Sequence, residues 1–473
     1  MSIDVLPDDV LLGIFDSCAV EHFITREEIE AWRSLAHVCR QWRSVVFGSP
    51  RRLNVRLFCA TKTRTPLRDG LAVWPALPLL VQGVVKKVEE FDNAIAVLER
   101  SDRVCHINFQ YVSSSHLANV LAAMEKPFPE LTYLVLGAKA AVTVIPDSFL
   151  GGSAPRLRFL WLDGVPFPGL PNLLLSATHL DNLHLFNIPH SGYISLESIV
   201  SALSTLTSLG TLRLKFRLHQ SLPHRGNRRP PPLTRSVLPV LTKLEFEGVS
   251  EYLEDLVARI DTPQLSTLNI TLFNQIVFDT PRFVQFISRT PNLKTHKAVH
   301  LSFMYSKAGV TLSSPNRSRY DKLDVEISCR EPDWQGSSLE QVCTSCLPPL
   351  SALEDLYIFE HPFPPHWRDN IENTLWVGLL RPFSGVKNLH LCEKLAPRIV
   401  AALQELVGDK TTEVLPTLQN IFLEVLQPSG PIQEGVVKFV AARQVSGQPI
   451  TVSLWERYAE DIRARNLGEY PDL

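Results

Sequence analysis

A recurring pattern constrains this chain more than any other feature: a turn or small residue, often proline, followed by L-x-x-L-x-L. The copies are PELTYLVL (129–136), PRLRFLWL (155–162), THLDNLHL (178–185), TSLGTLRL (207–214), PVLTKLEF (239–246), PQLSTLNI (263–270), SALEDLYI (351–358), SGVKNLHL (384–391) and PTLQNIFL (416–423). Counted from the first apolar position of each copy, neighbouring intervals are 26, 23, 29, 32, 24, 88, 33 and 32 residues. The alternating x-L-x-L half describes a short strand with one buried face. A unit of this length cannot bury that face by itself, so successive units must stack. Within the 88-residue gap, PNLKTHKA (291–298) and YDKLDV (320–325) are two worn copies. Upstream, RLNVRLF (52–58), LPLLVQ (77–82) and VCHINF (104–109) carry the series toward the N-terminus.

The period and the pattern resemble leucine-rich repeats, which implies an α/β solenoid with a parallel sheet along its concave side and returns that are helical or irregular. Helical returns are expected at 195–206, 252–260 and 397–408. The asparagine or cysteine usual after the last leucine is mostly absent, with Lys139 and Val165 near those places, so the repeats are degenerate. Two interruptions, HRGNRRPPP (224–232) and the Ser-rich stretch 307–322, are expected as exposed loops. The basic one suits either an acidic partner or a plain solvated insertion. Residues 431–473 read as a closing cap: an apolar helix (Val436, Val437, Phe439, Val440), a strand (Ile450, Val452, Leu454) and a charged helix from Trp455. The domain reading is therefore a helical module at 1–50, the array at 51–430 and the cap at 431–473.

Composition narrows the function classes. Lysine plus arginine number 47 against 49 aspartate plus glutamate, a net charge of -2, so no overall basic field points to nucleic acid or an anionic membrane. The segment MSIDVLPDDV is acidic and lacks the basic-then-apolar plan of a signal peptide. The longest apolar run, Leu71 to Val85, is short and contains Pro75 and Pro78. Eight cysteines scattered through a long chain suit reduced thiols. A cytoplasmic or nuclear protein without a membrane partner is expected.

The first 50 residues add a second signal. Pro7 suits a helix start, with Asp8 and Asp9 against the positive end of the dipole. Val10, Leu11, Ile14, Phe15 and Cys18 then form one apolar stripe. Thr25 and Glu28 fit a capping box, and the segment beyond carries Ile29, Trp32, Leu35, Ala36, Val38, Cys39 and Trp42, with a break near Arg40. Such a module is too small to bury all of this apolar surface internally. It is either a helical cap on the next element or a docking surface. Leu6-Pro7, Val10-Leu11, Ile14-Phe15, Leu35, Val38-Cys39-Arg40 and Trp42-Arg43 resemble, position by position, the F-box. VCRQWRSVVFGSPRRLNVRLFC (38–59) is most similar to fungal members of the F-box leucine-rich-repeat proteins. One departure is the connection from Phe15 to Val38, several residues longer than usual.

The resemblance implies that Leu6, Pro7, Val10, Leu11, Ile14, Phe15, Leu35, Val38, Cys39 and Trp42 bind a Skp-type adaptor and, through it, a cullin-RING ubiquitin ligase. The array would then capture an unknown protein substrate. The alternative is a stand-alone interaction scaffold without ligase recruitment.

No catalytic motif competes with this reading. There is no G-x-S-x-G, no phosphate-cradling G-x-x-x-x-G-K and no H-E-x-x-H. Cys343 and Cys346 make a lone C-x-x-C without the second pair that tetrahedral zinc needs, and they read as loop cysteines. No metal or cofactor is expected. Cys39 falls at an apolar helical position and reads as buried. In each strand the residues between leucines point outward, giving pairs such as Tyr133/Val135, Phe159/Trp161, Asn182/His184 and Asp355/Tyr357. Tyr133, Phe159, Trp161, His184 and Tyr357 are the substrate-binding candidates, because aromatic residues anchor protein interfaces. For the patch of Tyr133, Phe159 and Trp161, the competing reading is that a loop or the chain's own tail covers it.

Overall fold

The computed structural model describes the chain except for residues 1–5, 18–31, 51–52, 54, 64–66, 74–75, 139–142, 190–191, 193, 218–234, 274–278, 295, 315–321, 330–331, 348, 361–372, 407–412, 426–430 and 456–473. Cys18, the Thr25–Glu28 capping box, the 224–232 interruption and the helix expected after Trp455 lie outside the described residues. The chain divides into two compact units, 1–228 with 238–240 and 229–237 with 241–473. The repeat array is thus shared between them.

The first unit begins with three short helices: α1 (Asp8–Ser17), α2 (Trp32–Ala36) and α3 (Arg40–Gly48). The helix starts one residue later than expected, and the Pro7 carbonyl accepts the first helical bonds from Val10 and Leu11. Seven strands follow, β1 (Leu57–Ala60), β2 (Leu79–Val85), β3 (Val104–Val112), β4 (Tyr133–Ala138), β5 (Phe159–Asp163), β6 (Asn182–Ile188) and β7 (Thr211–Phe216). Each pairs in parallel with its predecessor in the chain. Every L-x-x-L-x-L copy becomes a strand that starts two residues after its first apolar position, because that leading leucine is itself buried and pins the entry. Leu134, Leu160, Leu183 and Leu212 share one register row and are fully buried. Such rows supply the nearest-neighbour cohesion of a stacked array.

Chain returns lie behind this leucine face, with helices at Val88–Leu98, Ser114–Ala123, Leu170–Leu174 and Leu196–Leu203. The last starts where expected, with the Ser195 hydroxyl accepting from Ser198 N–H at 3.2 Å. The helical module joins the array directly. The Trp32 indole donates to the Arg56 carbonyl at 2.8 Å, and Val55 N–H donates to the Pro50 carbonyl at 2.8 Å.

The second unit holds β8 (Ser236–Val237), β9 (Lys243–Gly248), β10 (Ile260–Asp261), β11 (Thr267–Phe273), β12 (Ala298–Met304), β13 (Lys307–Ser313), β14 (Lys322–Ser328), β15 (Asp355–Glu360), β16 (Asn388–Leu391), β17 (Asn420–Leu423) and β18 (Thr451–Leu454). Its main sheet runs β9-β11-β14-β13-β12-β15-β16-β17-β18, while β8 and β10 pair separately. The worn copy at 320–325 becomes β14. The one at 291–298 holds a short helical turn, Pro291–Leu293, and only its last residue, Ala298, enters β12. Strands β12 and β14 both run parallel to their outer neighbours. Between them β13 runs antiparallel.

Two expectations are corrected here. The sheet is not parallel throughout, because the 88-residue gap contains a three-stranded meander. Half of the Ser-rich stretch is also β13 and not a loop: Ala308, Val310 and Leu312 are buried at alternate positions, a period of two that the glycine and serine content obscured.

Returns in this unit include the expected helices at Ser250–Val257 and Ala396–Gln404, and others at Pro281–Arg289, Pro332–Gln341 and Asn373–Leu380. Buried Glu254 couples two of them: its carboxylate accepts from Phe283 N–H at 2.7 Å and Arg282 N–H at 3.1 Å, capping the next return helix. The C-terminal segment continues the array as well as closing it. Helix Pro431–Val445 buries Val436, Phe439 and Arg443, leaves Val437 exposed, and leads into β18, which extends the sheet. The Arg443 guanidinium donates to the Leu415, Pro416 and Leu418 carbonyls.

Two cysteine readings also change. Cys343 and Cys346 sit in a helical turn, Val342–Cys346, and not in a loop. Both are buried, which pushes the Cys343 thiol up and the Cys346 thiol up to about 11. Cys39 is half-buried, not buried, because it stands at the N-cap of α3, where its Sγ accepts from Trp42 N–H at 3.5 Å.

Candidate protein-interaction surfaces

The apolar residues of the helical module split into two sets. Leu11 and Phe15 of α1 are 0% and 2% exposed, and Phe15 meets the Trp42 ring edge-on at 4.8 Å. Trp32, Ala36, Val45 and Val46 complete this small core. Val10, Ile14 and Val38 remain 43%, 42% and 55% exposed. Leu6, Leu35 and Trp42 are half-buried, and Pro7 is exposed. The fold of the module is fixed by polar ties: Gln41 Nε2 donates to the Leu6 carbonyl at 3.0 Å and to Asp8 at 3.1 Å, and Arg43 donates to the Ala36 carbonyl at 2.9 Å. Leu11 and Phe15 therefore serve the interior, and the surface on offer is Val10, Ile14 and Val38.

In the first unit the face of the sheet opposite the leucines is aromatic. His106, Tyr133, Phe159 and Asn182 share one register row, and Asn108, Val135, Trp161, His184 and Arg213 the next. Strand spacing of about 4.8 Å matches ring stacking distance. His106 stacks on Tyr133 at 4.0 Å, and Tyr133 on Phe159 at 4.4 Å. His184, 6% exposed, lies edge-on to Phe159 and Trp161, and Trp161 reaches Phe186 at 5.0 Å. Four of the five substrate candidates (Tyr133, Phe159, Trp161 and His184) are thus brought together. Burial, reinforced by the Arg56 charge, lowers the His106 pKa to about 3, so this ring joins the stack uncharged.

Two further members were missed in the sequence. His106 occupies in VCHINF the place that Tyr133 occupies in PELTYLVL, and aligning that worn copy would have found it. Phe186 stands one outward position beyond the last leucine of its copy, past the end of the motif.

Tyr357 belongs to a different ladder in the second unit. His300, Tyr357, His390 and Phe422 share a register row and stack at 4.5, 4.1 and 4.5 Å. Trp455 lies 5.8 Å from Tyr357 and 5.3 Å from His390, so its ring packs against part of this row. Beside it runs a polar ladder: Asn388 Nδ2 donates to Asp355 at 2.7 Å, Asn420 Nδ2 donates to Asn388 at 2.7 Å, and the Thr451 hydroxyl donates to Asn420. Farther along the same sheet the outward residues are charged. Lys243 pairs with Glu245, and Lys307 with Glu326, each at 2.9 Å. Burial and the neighbouring Glu326 raise the Asp324 pKa to about 6.

Among the described residues no group of three His, Cys, Asp or Glu is arranged to hold a metal, and no helix is long and apolar enough to cross a membrane. No family model matches the chain. No curated protein matches it either. Among solved structures, the leucine-rich repeat-containing protein LegL7 from Legionella pneumophila is similar at 10% identity, with 81% of this chain and 97% of LegL7 covered and a TM-score of 0.23. A score of that size carries no argument; the repeat architecture rests on the strand register of this chain itself.

Proposed function

We propose that this chain is a non-catalytic substrate-recognition subunit of a Skp/cullin/F-box-type ubiquitin ligase. The helical module docks the adaptor, and the outward face of the array captures protein substrates. The observation that carries the docking half is the division of the module's apolar residues. Leu11, Phe15 and Val46 already fill its interior, yet Val10, Ile14 and Val38 stay exposed, where a partner can cover them. Covering their exposed halves contributes roughly 1 kcal/mol each, and two carboxylates introduced there would oppose docking strongly. A stand-alone interaction scaffold is the second reading, favoured by the long connection between Phe15 and Val38.

Co-expression of the full chain with a Skp-type adaptor separates the two. The expected result is a soluble stoichiometric complex that Val10→Glu with Ile14→Glu abolishes while the melting temperature stays within about 2 °C of the parent, since both side chains are exposed. No complex, or one indifferent to the double substitution, leaves only the scaffold reading.

A further inference from the structure

In the helical module, α1 is tied to α3 by an apolar contact at one end and a polar one at the other. Near the C-terminal end of α1, Phe15 meets the Trp42 ring edge-on at 4.8 Å. The neighbouring residue, Gln41, reaches the opposite end of α1: its Nε2 donates to the Leu6 carbonyl at 3.0 Å and to Asp8 Oδ1 at 3.1 Å. A primary amide carries two N–H groups, so both bonds form at once. The Leu6 carbonyl is open to such a donor, because the Pro7 carbonyl takes the first helical bonds, from Val10 and Leu11 N–H. Exposed Val10 and Ile14 lie between these two anchors along α1, and exposed Val38 stands just before α3.

We infer that Gln41 is a positioning residue for adaptor docking: its amide clasps the start of α1 and thereby fixes Val10 and Ile14 relative to Val38. Those side chains are far apart in the chain, so folded contacts and not the local backbone set their relation. Seven residues of helix separate Asp8 from Phe15, about 10 Å. Without the polar anchor, the Phe15–Trp42 contact remains as a pivot, since an edge-on ring contact tolerates rotation better than two directed hydrogen bonds do. A pivot of about 15° around Phe15 carries Val10 by about 2 Å. A gap of that size forfeits most of the dispersion contact that a methyl group makes with a partner. A binding surface held in place beforehand also spares the partner the cost of ordering it.

The chemistry of the side chain matters as much as its reach. Leucine at position 41 keeps the aliphatic stem and supplies no donor, whereas glutamate sets a carboxylate against the Leu6 carbonyl and the Asp8 carboxylate, three acceptors with no proton to share. The clasp lies at the surface of the module, and the buried Leu11, Phe15 and Val46 do not depend on it. Its loss therefore changes geometry more than folding. This inference rests on the docking half of the proposed function and not on substrate capture.

Titration of the purified full chain with a Skp-type adaptor tests it. Gln41→Leu is expected to weaken binding about fivefold, the equivalent of one ordinary hydrogen bond. Asp8→Ala added to it should cost little more, because both residues act through one clasp. Gln41→Glu should weaken binding further, and Asp8→Asn on that background should restore part of it by setting an amide donor opposite the new carboxylate. Amide exchange at buried Val45 and Val46 should stay at the parent rate in every variant. Parent-like binding by Gln41→Leu would overturn the inference. So would multiplying losses from Gln41→Leu and Asp8→Ala, which would make each a separate contact with the adaptor, or faster exchange at Val45 and Val46, which would make the clasp a folding element alone. A parent chain that binds no adaptor removes the docking reading itself, and the inference with it, whereas a parent complex indifferent to Gln41 removes only the positioning role.

Discussion

The two units use the same inward leucines and carry different outward chemistry. Leu183 on β6 and Leu389 on β16 are both fully buried in parallel rows, and both precede an outward histidine, His184 and His390. Beyond those shared positions the faces part. The first unit stacks rings and ends on Lys215 and Arg217; the second combines a His–Tyr–His–Phe ladder with an Asp–Asn–Asn–Thr hydrogen-bonded row and the carboxylates of Glu245, Asp324 and Glu326. Inward positions are fixed by stacking, because any loss there is felt by both neighbours. Outward positions answer to solvent or to a partner, so they are free to diverge.

If the inward layers are equivalent, Leu183→Ala and Leu389→Ala should each destabilise by about 2–5 kcal/mol in denaturant unfolding. Costs differing by more than about 2 kcal/mol would mean that one layer relaxes and the other does not. The outward layers should respond differently. Phe159→Ala with Trp161→Ala removes the shelf and is expected to weaken capture of a genuine substrate at least tenfold while sparing the adaptor complex; unchanged pull-down would break the assignment of the first unit's face. In the second unit, Asn388→Ala severs two bonds of the polar row and should cost about 1–2 kcal/mol of stability, with no effect on that capture.

The smallest expected difference is in pH response. His106 is held near 3 in the folded chain, below its ordinary 6.5, so only the unfolded chain takes up its proton and stability falls as pH drops from about 6.5 toward 3. Asp324 behaves oppositely: raised from 3.8 to about 6, it holds a proton that the unfolded chain releases, and its stabilising contribution is lost as pH rises through 6. His390, lowered by burial to about 4, opposes Asp324 within its own unit. Single variants isolate the signs. From pH 7 to pH 5, the stability of His106→Gln relative to the parent should rise and that of Asp324→Asn should fall, as followed by thermal melts at the two pH values.

Most of this architecture was legible because leucines at strand period leave a direct trace. The nine copies, the worn copy at 320–325 and the three upstream copies each lead into or form a strand, whereas the worn copy at 291–298 holds a short helical turn and ends where β12 begins. What escaped was whatever depends on pairing direction or on side chains past the motif. No local pattern distinguishes antiparallel β13 from a parallel strand, since Ala308, Val310 and Leu312 alternate in either case. The shelf was partly visible in Tyr133, Phe159 and Trp161, but Phe186 was not, because it stands past the last leucine of its copy. In the helical module the stripe of α1 was read as one face, whereas packing against Trp42 divides it into buried Leu11 and Phe15 and exposed Val10 and Ile14.

Hydrogen–deuterium exchange of the full chain, with and without a Skp-type adaptor, tests the central claim that docking and capture occupy separate surfaces. The account predicts slowed exchange confined to α1, α2 and the α2–α3 turn at Val38, with amides of β4 to β7 unchanged. Protection of those strands by the adaptor, or none in the helical module at saturating adaptor, would contradict it.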